Sequence, residues 1–302
     1  MQADIIVNQV IILFIILLIG FYVRKRDIIT ANMTSKLSEL LLQVTQPFLI
    51  ISSFDSEFTR ETLRSALFII IFSTLIHLFS MLVAKFIYIR YEKNARDVLK
   101  FVTVFSNCAF MGFPILHSLL GSKGVFYGAL YTIPFNVLAL PYGMVIFSGE
   151  RDRNTFRNVL THPIIISVVV GMVLFLLKVQ LPEPVSEAIS LTGSMTTPLS
   201  MLIIGSLLAD VPLRGMLRGK EIYLGSFIRL IAMPLLVYGL MRLLPIPKEV
   251  LHICVILTAM PASVNTAILS KKYGGDALLA SRFISITTIF SMFTIPLIMM
   301  LL

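Results

Sequence analysis

The feature that most constrains this sequence is a succession of apolar runs separated by short polar stretches. A helix of about 20 mostly apolar residues crosses the roughly 30 Å hydrocarbon core of a bilayer. Apolar residues make up 57% of the chain and charged residues 14%, against roughly 45–50% and about 25% in soluble proteins. A water-soluble fold cannot cover that much apolar surface, and too few polar groups remain to solvate an unfolded chain. The sequence therefore predicts an all-α polytopic membrane protein.

Ten of these runs have the length and apolar character of a membrane-spanning helix, and we predict a span in each. The predicted bounds are Ile5–Val23, Lys36–Phe54, Ser65–Ile89, Val98–Leu120, Val125–Phe147, Leu160–Leu177, Ala188–Ala209, Ile222–Leu244, Val250–Ser270 and Leu278–Leu301. The first is expected to be a retained span and not a cleaved secretion signal, because its basic cluster follows the apolar run instead of preceding it.

The distribution of basic residues supports this number of spans and gives an orientation. Lys and Arg collect in the cytoplasmic loops of membrane proteins, and most of the 25 Lys and Arg residues lie in or beside loops that follow odd-numbered spans. Both termini are therefore predicted on the outer side of the plasma (inner) membrane. Insertion into a lipid bilayer also accounts for the net charge of +9, and no nucleic-acid partner is expected.

Landmarks of the second and fourth spans recur at corresponding places in the seventh and ninth, which predicts an internal repeat. Pro47 in the second span corresponds to Pro198 in the seventh, and Gly121 after the fourth corresponds to Gly274 after the ninth. Each half then has five spans, so the second half enters the membrane from the opposite side. The predicted domains are two inverted five-helix repeats, residues 1–150 and residues 151–302, related by a pseudo-two-fold axis in the membrane plane.

The fourth and ninth spans carry proline with small and polar residues near mid-membrane. Their segments are SNCAFMGFP, from Ser106 to Pro114, and AMPASVNTA, from Ala259 to Ala267. Prolines that merely kink two helices would explain either segment alone well, but they explain less well why both contain Asn, Pro and small residues at matching places. Two broken helices would point half-helix N-termini at one place, where the partial positive charges favour an anion. Asn107 and Asn265 would then supply neutral donors to a carboxylate.

The segment NCAFMGFPILHSLLG resembles the asparagine–glycine–proline segment of the auxin efflux carrier family, which contains plant PIN-type carriers and bacterial organic-acid permeases. The resemblance continues through TTPLSMLIIGSLLAD, RLIAMPLLVYGL and AMPASVNTAILSKKYGGDALLASRF, and it covers essentially the whole chain. The lengthy cytoplasmic loop of many plant carriers is absent between the fifth and sixth spans. In this respect the chain resembles the bacterial members, which argues against auxin itself as the substrate.

The resemblance implies an inverted five-plus-five fold like that of bile-acid transporters, in which the broken helices 4 and 9 cross. It implies a mobile transport unit that moves against a scaffold, with a homodimer through the scaffold as an analogy to related folds. It further implies that small organic anions, mono- or dicarboxylates such as malate-like or auxin-like acids, bind near the crossover. The positions that match the family segments are Asn107, Gly112, Pro114, Pro261 and Asn265.

Two ionisable residues lie within predicted spans, and charged groups at membrane depth are functional candidates. Arg229, in the eighth span, could bind a substrate carboxylate or balance charge in a binding cavity. Alternatively, its long side chain could snorkel towards the cytoplasmic surface. His77, in the third span, could take part in proton coupling or could be a hydrogen-bonded structural residue.

No cofactor or metal site is predicted, and coupling to H+ or Na+ is left open. No carboxylate lies clearly at mid-membrane, so the carboxylate-rich sites of many cation antiporters lack their parts. Sodium bound by hydroxyl and carbonyl oxygens remains an alternative. The hydroxyl candidates are Thr196, Thr197, Ser200, Ser263 and Thr266.

The resulting hypothesis is a secondary-active or facilitative transporter that moves small organic anions by alternating access. The predicted substrate-binding residues are Asn107, Gly112, Pro114, Pro261, Ser263, Asn265 and Arg229. An enzyme is not expected, because the sequence has neither paired carboxylates nor a His-Glu-x-x-His metal motif at membrane depth. The alternative is an organic-anion channel, or a membrane sensor built on a transporter fold.

Overall fold

The computed structural model describes residues 2–54, 59–149, 160–177, 179, 181–211 and 216–302, and this part of the chain is helical without a named strand. Six of its helical segments are long and apolar enough to cross a membrane. They are Val7–Lys25, Arg60–Ile87, Cys108–Phe147, Glu183–Asp210, Lys220–Arg242 and Ala277–Met299. These segments confirm the predicted all-α membrane class, whereas the number of ten spans stays a prediction.

Several basic residues used for the orientation lie outside the described residues. They are Arg151, Arg153, Arg157, Lys178 and Arg214.

The helices are numbered here in chain order. They are α1 (Gln2–Lys25), α2 (Ala31–Leu40), α3 (Gln46–Ser53), α4 (Arg60–Ile87), α5 (Lys93–Val104), α6 (Phe113–Phe147), α7 (Pro163–Leu176), α8 (Glu183–Ser194), α9 (Thr196–Asp210), α10 (Lys220–Phe227), α11 (Met233–Arg242), α12 (Lys248–Thr258), α13 (Asn265–Tyr273) and α14 (Ala277–Met299).

The second and seventh predicted spans begin too late, because hydropathy does not register a polar first turn. Helix α2 begins at Ala31, where the side chain of Thr30 accepts a hydrogen bond from Met33 N–H at 3.3 Å and caps the helix. Helix α8 begins at Glu183 with Pro184 in its first turn, a position where proline costs no helical hydrogen bond. A side-chain cap therefore favours the first of these starts, and a proline in the first turn favours the second.

The chain forms two compact units. Unit 1 consists of Met1–Ala66, Ala109–Leu130 and Leu160–Asp210, and unit 2 consists of Leu67–Cys108, Tyr131–Val159 and Val211–Leu302. Each unit thus draws on both predicted repeats, residues 1–150 and residues 151–302. The repeats themselves stay a prediction.

Unit 1 contains a close parallel contact between α1 and α9 that depends on two glycines. A Cβ atom on Gly20 would collide with the backbone of Leu202, and one on Gly205 would collide with the backbone of Leu17. Small residues of this kind let membrane helices approach until their backbones touch. The carboxylate of Asp210 at the C-terminus of α9 lies 2.8 Å from a guanidinium nitrogen of Arg24 in the last turn of α1, so the two helices run in the same direction.

Three helical regions widen into a single π-helical turn that ends two residues before a proline. The turns are Leu41–Thr45 before Pro47, Cys108–Gly112 before Pro114, and Ile228–Ala232 before Pro234. A proline inside a helix removes a donor and clashes with the carbonyl of the preceding turn. A wider turn before the proline relieves that clash and gives the displaced carbonyl another partner.

Helix α6 is interrupted at Gly121, whose φ of 60° and ψ of −149° are accessible in practice only to glycine. This break lies between the fourth and fifth predicted spans, where the sequence places a turn.

Candidate functional site

Unit 2 contains two interruptions of helical backbone that pair with each other. Helix α5 ends at Val104 and helix α12 ends at Thr258, and the segments that follow, residues 105–107 and residues 261–263, run antiparallel through a bridge between Ser106 and Ala262. Two main-chain hydrogen bonds join them: Asn107 N–H donates to Pro261 O at 2.7 Å, and Ser263 N–H donates to Phe105 O at 3.1 Å. We call this pair of segments the crossover.

The crossover forms because each interruption leaves main-chain groups that need partners. Backbone polar groups without a partner are costly in an apolar environment, so breaks in membrane helices persist only where something satisfies them. Here each segment supplies hydrogen-bond partners to some of the main-chain groups of the other. A third partner comes from α14, where Thr287 Oγ1 accepts a hydrogen bond from Ala262 N–H at 3.0 Å. Helical backbone is therefore interrupted in both segments where the sequence predicts a break, whereas their place as the fourth and ninth of ten spans stays a prediction.

Arg229 lies against the ends of both interrupted helices. Its side chain is buried, with 1% of its surface exposed. Nη1 donates to Thr103 O at 2.8 Å and Nη2 donates to Thr258 O, so the guanidinium bonds the last turn of α5 and the last turn of α12. Its Nε is buried without a partner among the described residues. Snorkelling requires an exposed charged group, and this guanidinium is enclosed by protein.

The two threonines whose carbonyls accept hydrogen bonds from Arg229 also form side-chain hydrogen bonds with a tyrosine hydroxyl. Thr103 Oγ1 lies 2.9 Å from Tyr88 OH, and Thr258 Oγ1 lies 3.3 Å from Tyr131 OH. Sequence reasoning missed these four residues. The available signal was a threonine shortly before each interruption, in TVFSN and in TAMPAS.

The predicted amide donors occupy different positions at the crossover. Asn107 is 3% exposed, and its Nδ2 has no hydrogen-bond partner among the described residues. Asn265 is half-buried and begins α13, and its N–H donates to Ser263 Oγ at 3.2 Å. Ser263 is itself buried, as is Pro261. The buried Nδ2 of Asn107 is therefore a side-chain donor that can still bind an acceptor.

The seven predicted substrate-binding residues are divided between the units. Asn107, Pro261, Ser263, Asn265 and Arg229 belong to unit 2 and are connected through the hydrogen bonds of the crossover and of the helices that lead into it. Gly112 and Pro114 belong to unit 1, at the end of a π turn and the beginning of α6. The part of all seven residues in substrate binding stays a prediction.

His77 has the surroundings of a hydrogen-bonded structural residue. It is 1% exposed, and its Nδ1 lies 2.7 Å from Ser73 O, one turn earlier in α4. Its ring lies among the rings of Phe105, Tyr131 and Phe135, with centroids 5.7, 5.5 and 6.0 Å away. This geometry does not test a role of His77 in proton coupling, which stays a prediction.

The hydroxyls considered for sodium are also divided between the units. Thr196 Oγ1 in unit 1 and Thr266 Oγ1 in unit 2 are buried without a partner in the described part of the chain, whereas Ser200 Oγ donates to Thr197 O at 2.9 Å. Across the same described residues, no group of His, Cys, Asp and Glu side chains could hold a metal ion. Coupling to a cation therefore stays open.

A family described as "Membrane transport protein" matches residues 5–159 and residues 153–299. A protein of Methanothermobacter thermautotrophicus (strain Delta H), described as an "Uncharacterized transporter", is 22% identical over 301 residues, which cover 96% of each chain. Both similarities are to proteins that move solutes across membranes.

Proposed function

We propose that this chain, which belongs to the auxin efflux carrier family of membrane transport proteins, is a secondary-active or facilitative carrier of small organic anions. It binds mono- or dicarboxylates at the crossover and releases them by alternating access. It resides in the plasma membrane with both termini outside, and by analogy with related folds it forms a homodimer.

The observation that carries this proposal is the unpartnered amide of Asn107. A buried N–H group without an acceptor costs roughly 1–3 kcal/mol, and a bound ligand that supplies the acceptor removes this cost. A carboxylate oxygen is a strong acceptor for such a donor. The N-terminus of α13, nine residues long, adds main-chain N–H groups and a partial positive charge beside it.

The direction of the helices supports the ten-span inverted arrangement. Helices α1 and α9 run parallel, as the first and seventh of ten spans must. The crossover segments run antiparallel, as the fourth and ninth spans must, because four spans lie between them. An inverted repeat requires this relation between its corresponding helices.

We assign the transport role to unit 2 and the scaffold role to unit 1. Unit 2 contains the crossover and the buried Asn107. Unit 1 contains the glycine contact between α1 and α9. Close backbone packing of that kind resists rearrangement, which suits a scaffold.

The experiment is counterflow in liposomes. The purified protein is reconstituted and screened with radiolabelled organic acids, with and without gradients of pH and sodium. Asn107→Ala removes the donor and is expected to lower counterflow roughly 10- to 100-fold, the value of one hydrogen bond to a charged ligand. Asn265→Ala is expected to lower it as well.

A matched control is Asn136→Ala, because the Asn136 amide in the same unit already donates to Thr132 O at 2.8 Å. This variant should transport like the wild type. Wild-type uptake by Asn107→Ala would refute the site. Flux that does not saturate and shows no counterflow would instead support the channel, and absence of flux for every acid would support the sensor.

A further inference from the structure

We infer that Arg229 is a positioning residue: it holds the crossover together by neutralising the C-terminal ends of α5 and α12 at the same time. This role differs from binding the substrate carboxylate. It does not depend on which solute the protein carries.

The charge balance supports this assignment. The C-terminus of a helix carries roughly half a negative charge, located on carbonyls that have no partner within the helix. Two such ends meet one guanidinium here, because the acceptors Thr103 O and Thr258 O lie in the last turns of α5 and α12. Two half charges of one sign equal the single opposite charge of arginine.

Within the described residues, no carboxylate lies within ion-pair distance of Arg229 to balance its charge. A buried charge is retained only when something pairs with it. The helix ends are therefore its counter-ion. Arginine suits this site because its planar fork presents several N–H groups in fixed directions, which the point charge of lysine does not.

The two ends are also prepared in the same way. Tyr88 OH meets Thr103 Oγ1 and Tyr131 OH meets Thr258 Oγ1. Each tyrosine fixes the threonine whose carbonyl Arg229 binds. A side chain that only filled space would not need the same hydroxyl pair at both helix ends.

The two native cysteines provide a test that requires no substrate. The sequence contains two cysteines. Both are buried and lie beside the crossover: Cys108 directly follows Asn107, and Cys254 lies one turn before Thr258 in α12. Alkylation by N-ethylmaleimide, quantified for each cysteine by peptide mass spectrometry, reports how often these thiols become accessible.

Arg229→Met is expected to raise the labelling rate of both cysteines about tenfold or more, because the helix ends lose their shared partner. Arg229→Lys should raise it less, since the ammonium keeps the charge and loses the fork. The matched control is Arg242→Met on α11, whose exposed side chain contacts Tyr238 OH at 3.3 Å. It should label like the wild type.

A reporter cysteine in unit 1 separates this role from general destabilisation. Ser167→Cys replaces a buried residue of α7, and its labelling should not change when Arg229→Met is added. Unchanged labelling of Cys108 and Cys254 in a monodisperse Arg229→Met protein would overturn the assignment, as would an equal increase at the reporter. If Arg229→Met does not fold, Arg229→Lys must show the increase at both native cysteines, or the assignment fails.

Discussion

The α1–α9 contact in unit 1 and the crossover in unit 2 each bring two backbone segments into direct contact, but they do so in opposite ways. In the first, the backbone stays helical, and Gly20 and Gly205 remove the side chains that would keep two helices apart. In the second, the backbone is interrupted, and side chains are brought in to complete it: Arg229 for the carbonyls and Thr287 for an N–H group. The regular helices approach each other because side chains are absent, whereas the interrupted helices need polar side chains from other helices.

This difference separates two kinds of sensitivity to mutation. A contact made by absent side chains fails when volume is added and has few polar groups to lose. A contact made by polar side chains fails when a single donor or acceptor is removed, even if the volume is kept. The following substitutions test whether each region fails only in its own way.

Adding one methyl group to the glycine contact should have the largest effect on stability. Gly205→Ala places a Cβ against the backbone of Leu17, and overpacking of this kind costs roughly 1–3 kcal/mol or more. A lower melting temperature of the purified protein in detergent is the expected result.

The control for this change is Gly239→Ala in α11, where a Cβ has no atom within 4 Å. There the exchange should stabilise the helix by roughly 0.5–1 kcal/mol, since alanine is the better helix former. Equal shifts of the same sign at the two positions would show that the α1–α9 contact does not depend on its glycines.

Removing one hydroxyl beside the crossover should come next. Thr287→Val keeps the volume of the side chain and leaves Ala262 N–H without its acceptor, which costs roughly 1–3 kcal/mol. The melting temperature should fall, and labelling of Cys108 by N-ethylmaleimide should rise.

The neighbouring residue provides the control. Thr288 Oγ1 is buried without a partner in the described part of the chain, so Thr288→Val removes an unsatisfied group and should be neutral or slightly stabilising. A loss of stability as large as that of Thr287→Val would indicate that both hydroxyls act through packing and not through the bond to Ala262.

The smallest effect is expected for the hydroxyl pair of unit 1. Thr34 Oγ1 and Ser206 Oγ lie 2.6 Å apart and are buried. Thr34→Val and Ser206→Ala in a double-mutant cycle should show a coupling of roughly 0.5–1.5 kcal/mol, the net value of one hydrogen bond. A coupling above that of the crossover bonds would contradict the view that unit 1 relies mainly on packing.

The sequence was sufficient to predict the all-α membrane class and the two interruptions that form the crossover, because length, apolar character and proline are local properties. The segments around Asn107 and Pro261 were recognised for that reason. It did not reveal the partners of Arg229, since hydropathy shows only that a charge lies in an apolar run. The carbonyls it binds, on Thr103 and Thr258, are distant in sequence and carry no side-chain signal of their own.

The amide of Asn107 was predicted as a donor from its residue type, but its lack of a partner emerged only from the packing around it. Likewise, the π turns leave no mark in composition. Their relation to a following proline is visible in the sequence only after the structure has shown which prolines are preceded by one.

The π turn that contains Arg229 also makes the direction of this side chain around the helix axis depend on the number of residues in the turn. Successive residues of an α-helix are rotated by about 100° around its axis, and a π turn accommodates one residue more than an α turn. Within Lys220–Arg242, the turn Ile228–Ala232 therefore offsets the face before it from the face after Pro234. Deleting a single residue from this turn would restore an unbroken phase and rotate Arg229 away from the helix ends. The number of residues in this turn thus sets the rotation between the two parts of the helix, whichever apolar residues occupy the turn.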